Sequence, residues 1–135
     1  YKRQLFSMAT LEGALQVFKA VGMATIREVS LAKTAYLMYL IDERLTAYGY
    51  SYTNKKEDSL RGGHVCVVHR EAYRIAAALR DHHVVPDFRE PNVIRLAPIA
   101  LYTSYEDIHK VVDTLEEIVR EKIYLNYSNE RSAVV

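Results

Sequence analysis

The spacing of apolar positions changes along the chain, and the changes divide it. From residue 7 to about 20, Leu11, Ala14, Leu15 and Phe18 recur three or four apart, the spacing of one helix face, and Gly22 offers a stop. A second, longer helix is predicted over about 24–48. Its stripe of Ile26, Leu37, Ile41 and Leu45 is broadened by Leu31, Ala35, Met38 and Leu40, as in a helix buried on more than one side. Ser30 and Thr34 are small enough for close packing, and Gly49 can end the helix.

Beyond Gly49 the period shortens. Residues 50–53 read as a short strand, 54–59 as a polar, charged loop, and Arg61-Gly62-Gly63 as a turn feeding a strand over 64–68. A helix follows over 71–82, with Ala72, Ile75, Ala76 and Leu79 on its inner face. Two more strands, 84–88 and 93–97, are joined by Arg89-Glu90-Pro91-Asn92; Pro86 lacks an N–H, so its strand belongs at a sheet edge or is bulged there. Ser104-Tyr105-Glu106-Asp107 resembles a capping box that opens a last helix, whose stripe is Ile108, Val111, Val112, Leu115, Ile118 and Val119. The polar tail from about Asn126 is expected to fray. The fold class is therefore α+β: four short, mostly antiparallel strands with helices on one face, preceded by a long connecting helix.

Composition narrows the function classes. The 135 residues make one domain's worth of chain, half hydrophobic and 26% charged, with a formal net charge of +1. That balance gives no reason to expect a nucleic-acid or membrane partner. The run over 35–41 stops at Asp42, short of a membrane span, and no signal peptide is visible. Lys55-Lys56 is followed at once by Glu57 and Asp58 and reads as a solvated loop. The single cysteine, Cys66, sits in an apolar run, reads as a buried inert thiol, and fits a reducing cytoplasm.

Candidate chemistry is sparse. There is no Walker loop, no dinucleotide fingerprint and no metal-ligand spacing. His82 and His83 sit at a helix end, where cations are favoured. His69 and His109 have no visible partner in the sequence, and His64 follows two glycines that could let the backbone approach something closely. The informative stretch runs over 87–98. Alternation puts Ile94 and Leu96 on one sheet face, and Arg95 with Ala97 on the other. An arginine inside an apolar strand needs an anionic partner. Two readings follow: an internal salt bridge to Asp87 on the preceding strand, or a fork that binds a substrate carboxylate bidentately.

Three stretches together resemble the kynureninase family. They are Ser7-Met8-Ala9-Thr10-Leu11-Glu12-Gly13-Ala14-Leu15 with Gly22-Met23 and Ile26-Arg27, then Arg61-Gly62-Gly63-His64-Val65, and finally Val84-Val85-Pro86-Asp87-Phe88-Arg89-Glu90-Pro91 with Ile94-Arg95-Leu96-Ala97-Pro98, Leu101-Tyr102 and Ser104-Tyr105-Glu106-Asp107. The resemblance implies the small C-terminal domain of an aspartate-aminotransferase-like, fold-type-I pyridoxal-phosphate enzyme. Residues 1–48 would be connecting helices packed on a large cofactor domain, 49–125 the small domain, and 126–135 a frayed tail. It implies a cytoplasmic homodimer that hydrolyses L-kynurenine, or its 3-hydroxy form, to anthranilate and L-alanine in tryptophan catabolism.

Arg95 matches the family arginine that binds the substrate α-carboxylate. The lysine that carries pyridoxal phosphate would lie upstream of Tyr1, and none of Lys2, Lys19, Lys33, Lys55, Lys56, Lys110 and Lys122 matches it. The chain alone is therefore expected to hold no cofactor, to be inactive and to self-associate. Tyr1-Lys2-Arg3-Gln4 stands where the family usually carries a proline pair, which implies a truncated gene, a shifted frame or foreign residues. The neighbouring alternatives are a class-V aminotransferase or cysteine desulfurase, and, from another class, a non-catalytic stand-alone module.

Overall fold

A computed structural model describes residues 2–130, with side chains from residue 8 onward. Helix α1 (Lys2–Val21) and helix α2 (Met23–Leu40) meet at Gly22, whose φ of 84° is left-handed backbone that glycine adopts without strain. The predicted helix over 24–48 is one continuous rod, but not one continuous α-helix. After α2 it widens into a π turn at Ile41–Leu45, then tightens into a 3₁₀ turn at Thr46–Tyr48. The amide of Thr46 reaches the carbonyl of Ile41, five residues back, and its hydroxyl donates to the carbonyls of Ile41 and Asp42. Gly49, at φ 86°, ends the rod as predicted.

Strands β1 (Ser51–Tyr52), β2 (Val65–Val68), β3 (Asp87–Arg89) and β4 (Val93–Leu96) form one sheet in the order β1-β2-β4-β3, every pair antiparallel. Between β2 and β3 runs helix α3 (Ala72–Asp81), and after β4 comes helix α4 (Tyr105–Arg120). β3 is an edge strand that starts just after Pro86, so the missing donor breaks no rung of the ladder. The Ser104–Asp107 capping box is present in both directions: Ser104 Oγ accepts from the Asp107 amide at 3.0 Å, and the Asp107 carboxylate accepts from the Ser104 amide at 2.8 Å.

The core lies between the sheet and the helices. Val65, Val67, Ile94 and Leu96 form the sheet's inner face, and they meet Leu37, Ile41 and Leu45 of the long rod, Ile75 and Leu79 of α3, and Ile108, Val112, Leu115 and Ile118 of α4. The helices therefore sit on one face of the sheet, as the alternation of apolar residues required. The opposite face carries Cys66, Val68, Val93 and Arg95, all half-buried. Cys66, expected to be buried, is thus on the open face, directly across the ladder from Arg95.

Helix α1 stands apart from this core. Met8, Leu11, Leu15, Val17, Phe18 and Val21 are all exposed, so its apolar stripe has no cover within the described residues. At the other end, Tyr127 donates its hydroxyl to Asp81 at 2.6 Å, and Tyr73 donates to the carbonyl of Glu130. The expectation of a frayed tail concerns in part residues 131–135, which, like Tyr1, lie outside the described residues.

Candidate functional site

A groove of about 760 Å³ opens at the end of the sheet. Its floor is apolar, with Leu37, Leu96 and Ile108 among the lining residues. The rim is polar: Asp87 and Arg95 from the sheet, His82 and His83 from the turn after α3, and Asp107 and Lys110 from α4. Tyr102 rises on one side, 78% exposed.

Register brings Asp87 opposite Arg95, because β3 and β4 pair antiparallel across the short turn predicted from the sequence. Arg95 donates from both Nε, at 2.7 Å, and Nη2 to the same oxygen, Asp87 Oδ2. Arg89 Nε donates to that oxygen too, at 3.0 Å. The Arg95 guanidinium, with Arg89 beside it, holds the Asp87 carboxyl below the usual carboxylate range. The salt bridge to Asp87 is thus present, and it is not buried: the Arg95 side chain is 35% exposed and lines the groove. A solvent-accessible guanidinium at the rim of an apolar-floored groove can take an anion, so the ion pair leaves the second reading of Arg95 chemically open.

Other residues singled out in the sequence are placed elsewhere. Arg61 is a buried structural hub. Its Nε donates to Thr34 Oγ1 at 3.1 Å, Nη1 to the Lys56 carbonyl at 2.5 Å, and Nη2 to the Leu31 carbonyl at 3.2 Å and to Asp58 at 2.6 Å. Arg27 reaches over from α2 to the carbonyls of Arg61 and Asp58. The close approach that Gly62-Gly63 allowed is to α2, where a Cβ on Gly63 would stand 3.3 Å from Ser30 Oγ. The carbonyl of His64 accepts from the Asn54 side chain.

His69 and His109, without partners in the sequence reading, both have them. His69 is buried; its Nδ1 accepts from the Glu71 amide at 3.0 Å and its Nε2 faces the Tyr48 carbonyl at 3.2 Å. That arrangement requires the neutral tautomer with the proton on Nε2, and burial pushes its pKa below the ordinary histidine value. His109 contacts Asp113 and Arg44, in the ion-pair network that ties the π turn to α4.

Two lysines beside the groove are held by partners. Lys33 is the one described lysine that is buried, and its ammonium donates to the carbonyls of Ala100, at 2.9 Å, and Ile99, which pins the loop after β4 to α2. Lys110, at the groove rim, pairs with Glu106. Neither of these two presents a free amine in the groove. Among the described residues, no group of three His, Cys, Asp or Glu side chains could hold a metal ion, and no described helix is long and apolar enough to cross a membrane.

An antiparallel sheet covered by helices on one face makes this a small α+β domain. The chain belongs to the kynureninase C-terminal domain family, whose profile matches residues 26–115. Proteins named kynureninase are similar along almost its whole length: one from Geobacillus thermodenitrificans is 49% identical over 130 residues, one from Bacillus thuringiensis 43%, and one from Shouchella clausii 41%. Each match covers 96% of this chain and 30% of the relative, so the chain spans less than a third of the length of the curated relatives it matches.

Proposed function

We propose that this chain is the C-terminal part of a kynureninase, a homodimeric hydrolase that cleaves L-kynurenine to anthranilate and L-alanine, and that its own contribution is to bind the substrate α-carboxylate at Arg95. The observation that carries the reading is the placement of Arg95. Its guanidinium stands at the rim of an apolar-floored groove, held in direction by Asp87 through Nε and Nη2. Such a fork orients a carboxylate as well as attracting it.

Pyridoxal phosphate would be carried by the part of the enzyme outside this chain and would supply an electron sink for the amino-acid substrate. Residues 1–48 serve as the connecting helices and 49–125 as the small domain. The exposed apolar side chains of α1 support its packing against the cofactor-bearing part of the enzyme, and uncovered they favour self-association of the chain. The isolated chain is inactive, and the enzyme works in the cytoplasm.

The test uses a full-length enzyme that carries this domain. Arg95→Ala lowers kcat/KM for L-kynurenine by about a hundredfold or more while thermal stability stays near wild type, because two charge-assisted hydrogen bonds to substrate are lost. Arg95→Lys restores part of that loss, since an ammonium cannot reproduce the fork. Near-normal kinetics in a folded Arg95→Ala enzyme would sink the assignment.

A further inference from the structure

Three charged side chains meet at a single oxygen on the edge of the sheet. Asp87 Oδ2 accepts from Nε and Nη2 of Arg95 and from Nε of Arg89. Asp87 and Arg89 are two residues apart on β3, which puts them on one face, and Arg95 stands across the ladder from Asp87. Two guanidinium cations share this one carboxylate oxygen.

This geometry sets a problem for any anion that binds Arg95. The Nε–Nη2 edge of the fork is taken by Asp87, and a carboxylate arriving on the remaining edge meets a like charge beside it. Asp87 can neither be expelled into a core nor remain where it is without opposing the newcomer. It does have a second cation already within bonding distance. Resting on the reading of Arg95 as the carboxylate site, we propose that Arg89 is a positioning residue of that site, which takes over the Asp87 carboxylate when an amino-acid carboxylate occupies Arg95.

The exchange conserves charge pairing. Before it, one anion lies between two cations; after it, two anions face two cations one to one. Little movement is required, because Asp87 keeps the bond to Arg89 that it already has and gives up only those to Arg95. The three side chains are partly open to solvent, with Asp87 47% and Arg89 60% exposed, so the rearrangement disturbs no packed core. Arg89 itself never touches the substrate, and its effect passes through Asp87.

The test is steady-state kinetics of L-kynurenine hydrolysis in a full-length enzyme carrying this domain, with thermal unfolding run on each variant. Arg89→Met leaves Asp87 without a second partner, so KM rises roughly tenfold while kcat stays within about twofold. Adding Asp87→Asn on that background removes the stranded charge and brings KM back to within about threefold of wild type. Arg89→Lys keeps a cation in place and holds KM within about threefold as well. A merely structural Arg89 would show no such rescue: the double variant would be as impaired as Arg89→Met, or worse, and that result overturns the proposal. Unchanged KM in Arg89→Met also overturns it, and Arg95→Ala then separates the cases. If Arg95→Ala is impaired, the carboxylate site stands without the hand-over; if it is not, the site itself is wrong.

Discussion

The hydroxyl of Tyr50 donates to the backbone carbonyl of Leu115 at 2.9 Å, inside the core, so the residue that leads into β1 is tied to the middle of α4. The ring of Tyr50 packs on His69 with centroids 4.7 Å apart, and burial pushes its phenol far above the usual tyrosine range. This is a neutral bond in a dry place. Removing only the hydroxyl, as in Tyr50→Phe, is expected to cost about 1 kcal/mol, because the helical carbonyl of Leu115 keeps its own α-helical partner. Tyr50→Ala opens a cavity in the same place and is expected to cost about 3–5 kcal/mol. Urea unfolding of both variants measures the two steps, and a Phe variant as destabilised as the Ala variant would show that the ring contributes nothing.

His69 makes the stability of the chain depend on pH. It is neutral in the fold, with its folded pKa below the ordinary value of about 6.5, so the unfolded chain binds the extra proton first. The stabilisation is complete above about pH 6.5, is lost as pH falls from there through the lower folded-state pKa, and levels off beneath it. Asp42 and Asp113, held low chiefly by Lys56 and Arg44, lose their contributions only in the more acid carboxylate range. Comparing wild type with His69→Phe at pH 7 and pH 5, the gap in unfolding free energy is expected to narrow at the lower pH. Parallel profiles would show that the His69 ring does not titrate out of register with the unfolded chain.

Arg61 holds the loop before β2 onto the long helical rod. Its acceptors are Thr34 and Leu31 on α2 and Lys56 and Asp58 in the loop. Arg61→Met keeps much of the volume but removes four hydrogen bonds, one of them to the buried Thr34 hydroxyl, at an expected cost of about 2–4 kcal/mol. Hydrogen exchange gives the more specific readout: protection should fall first over 54–63 and along the facing turns of α2, while α3 and α4 keep theirs. Uniform loss across the chain would mean that Arg61 supports the whole core rather than this one junction.

The contrast between Arg95 and Arg61 shows what the sequence could carry. Arg95 interrupts a period-2 apolar pattern, and its partner Asp87 lies on the strand next door, so alternation and a short turn were enough to bring the pair together. Arg61 sits in a turn beside two glycines and bonds to a helix some thirty residues earlier, a distance across which no local period speaks. The same holds for His69, whose tautomer is set by the backbone of Tyr48 and Glu71. A trace of the Arg61 junction was nonetheless present: Ser30 and Thr34 are small positions one turn apart on α2, and both meet the 61–63 turn. The groove could not be read at all, because it forms only where β4, α4 and the end of α3 converge.

The π turn at Ile41–Leu45 gives the rod a reserve of length. A helix that carries one residue too many for its α count must either rotate everything downstream by about 100° or let that residue swell a single turn. Here the swelling wins, since Leu37 before it and Ile41 and Leu45 at its two ends all remain in the core. Glu43, exposed at the crest of that turn, is the residue the rod can do without. A chain shortened by that one position would close into ordinary α-helix with both ends still in phase, whereas a deletion within α2 would turn the residues before it by about 100° against those after it.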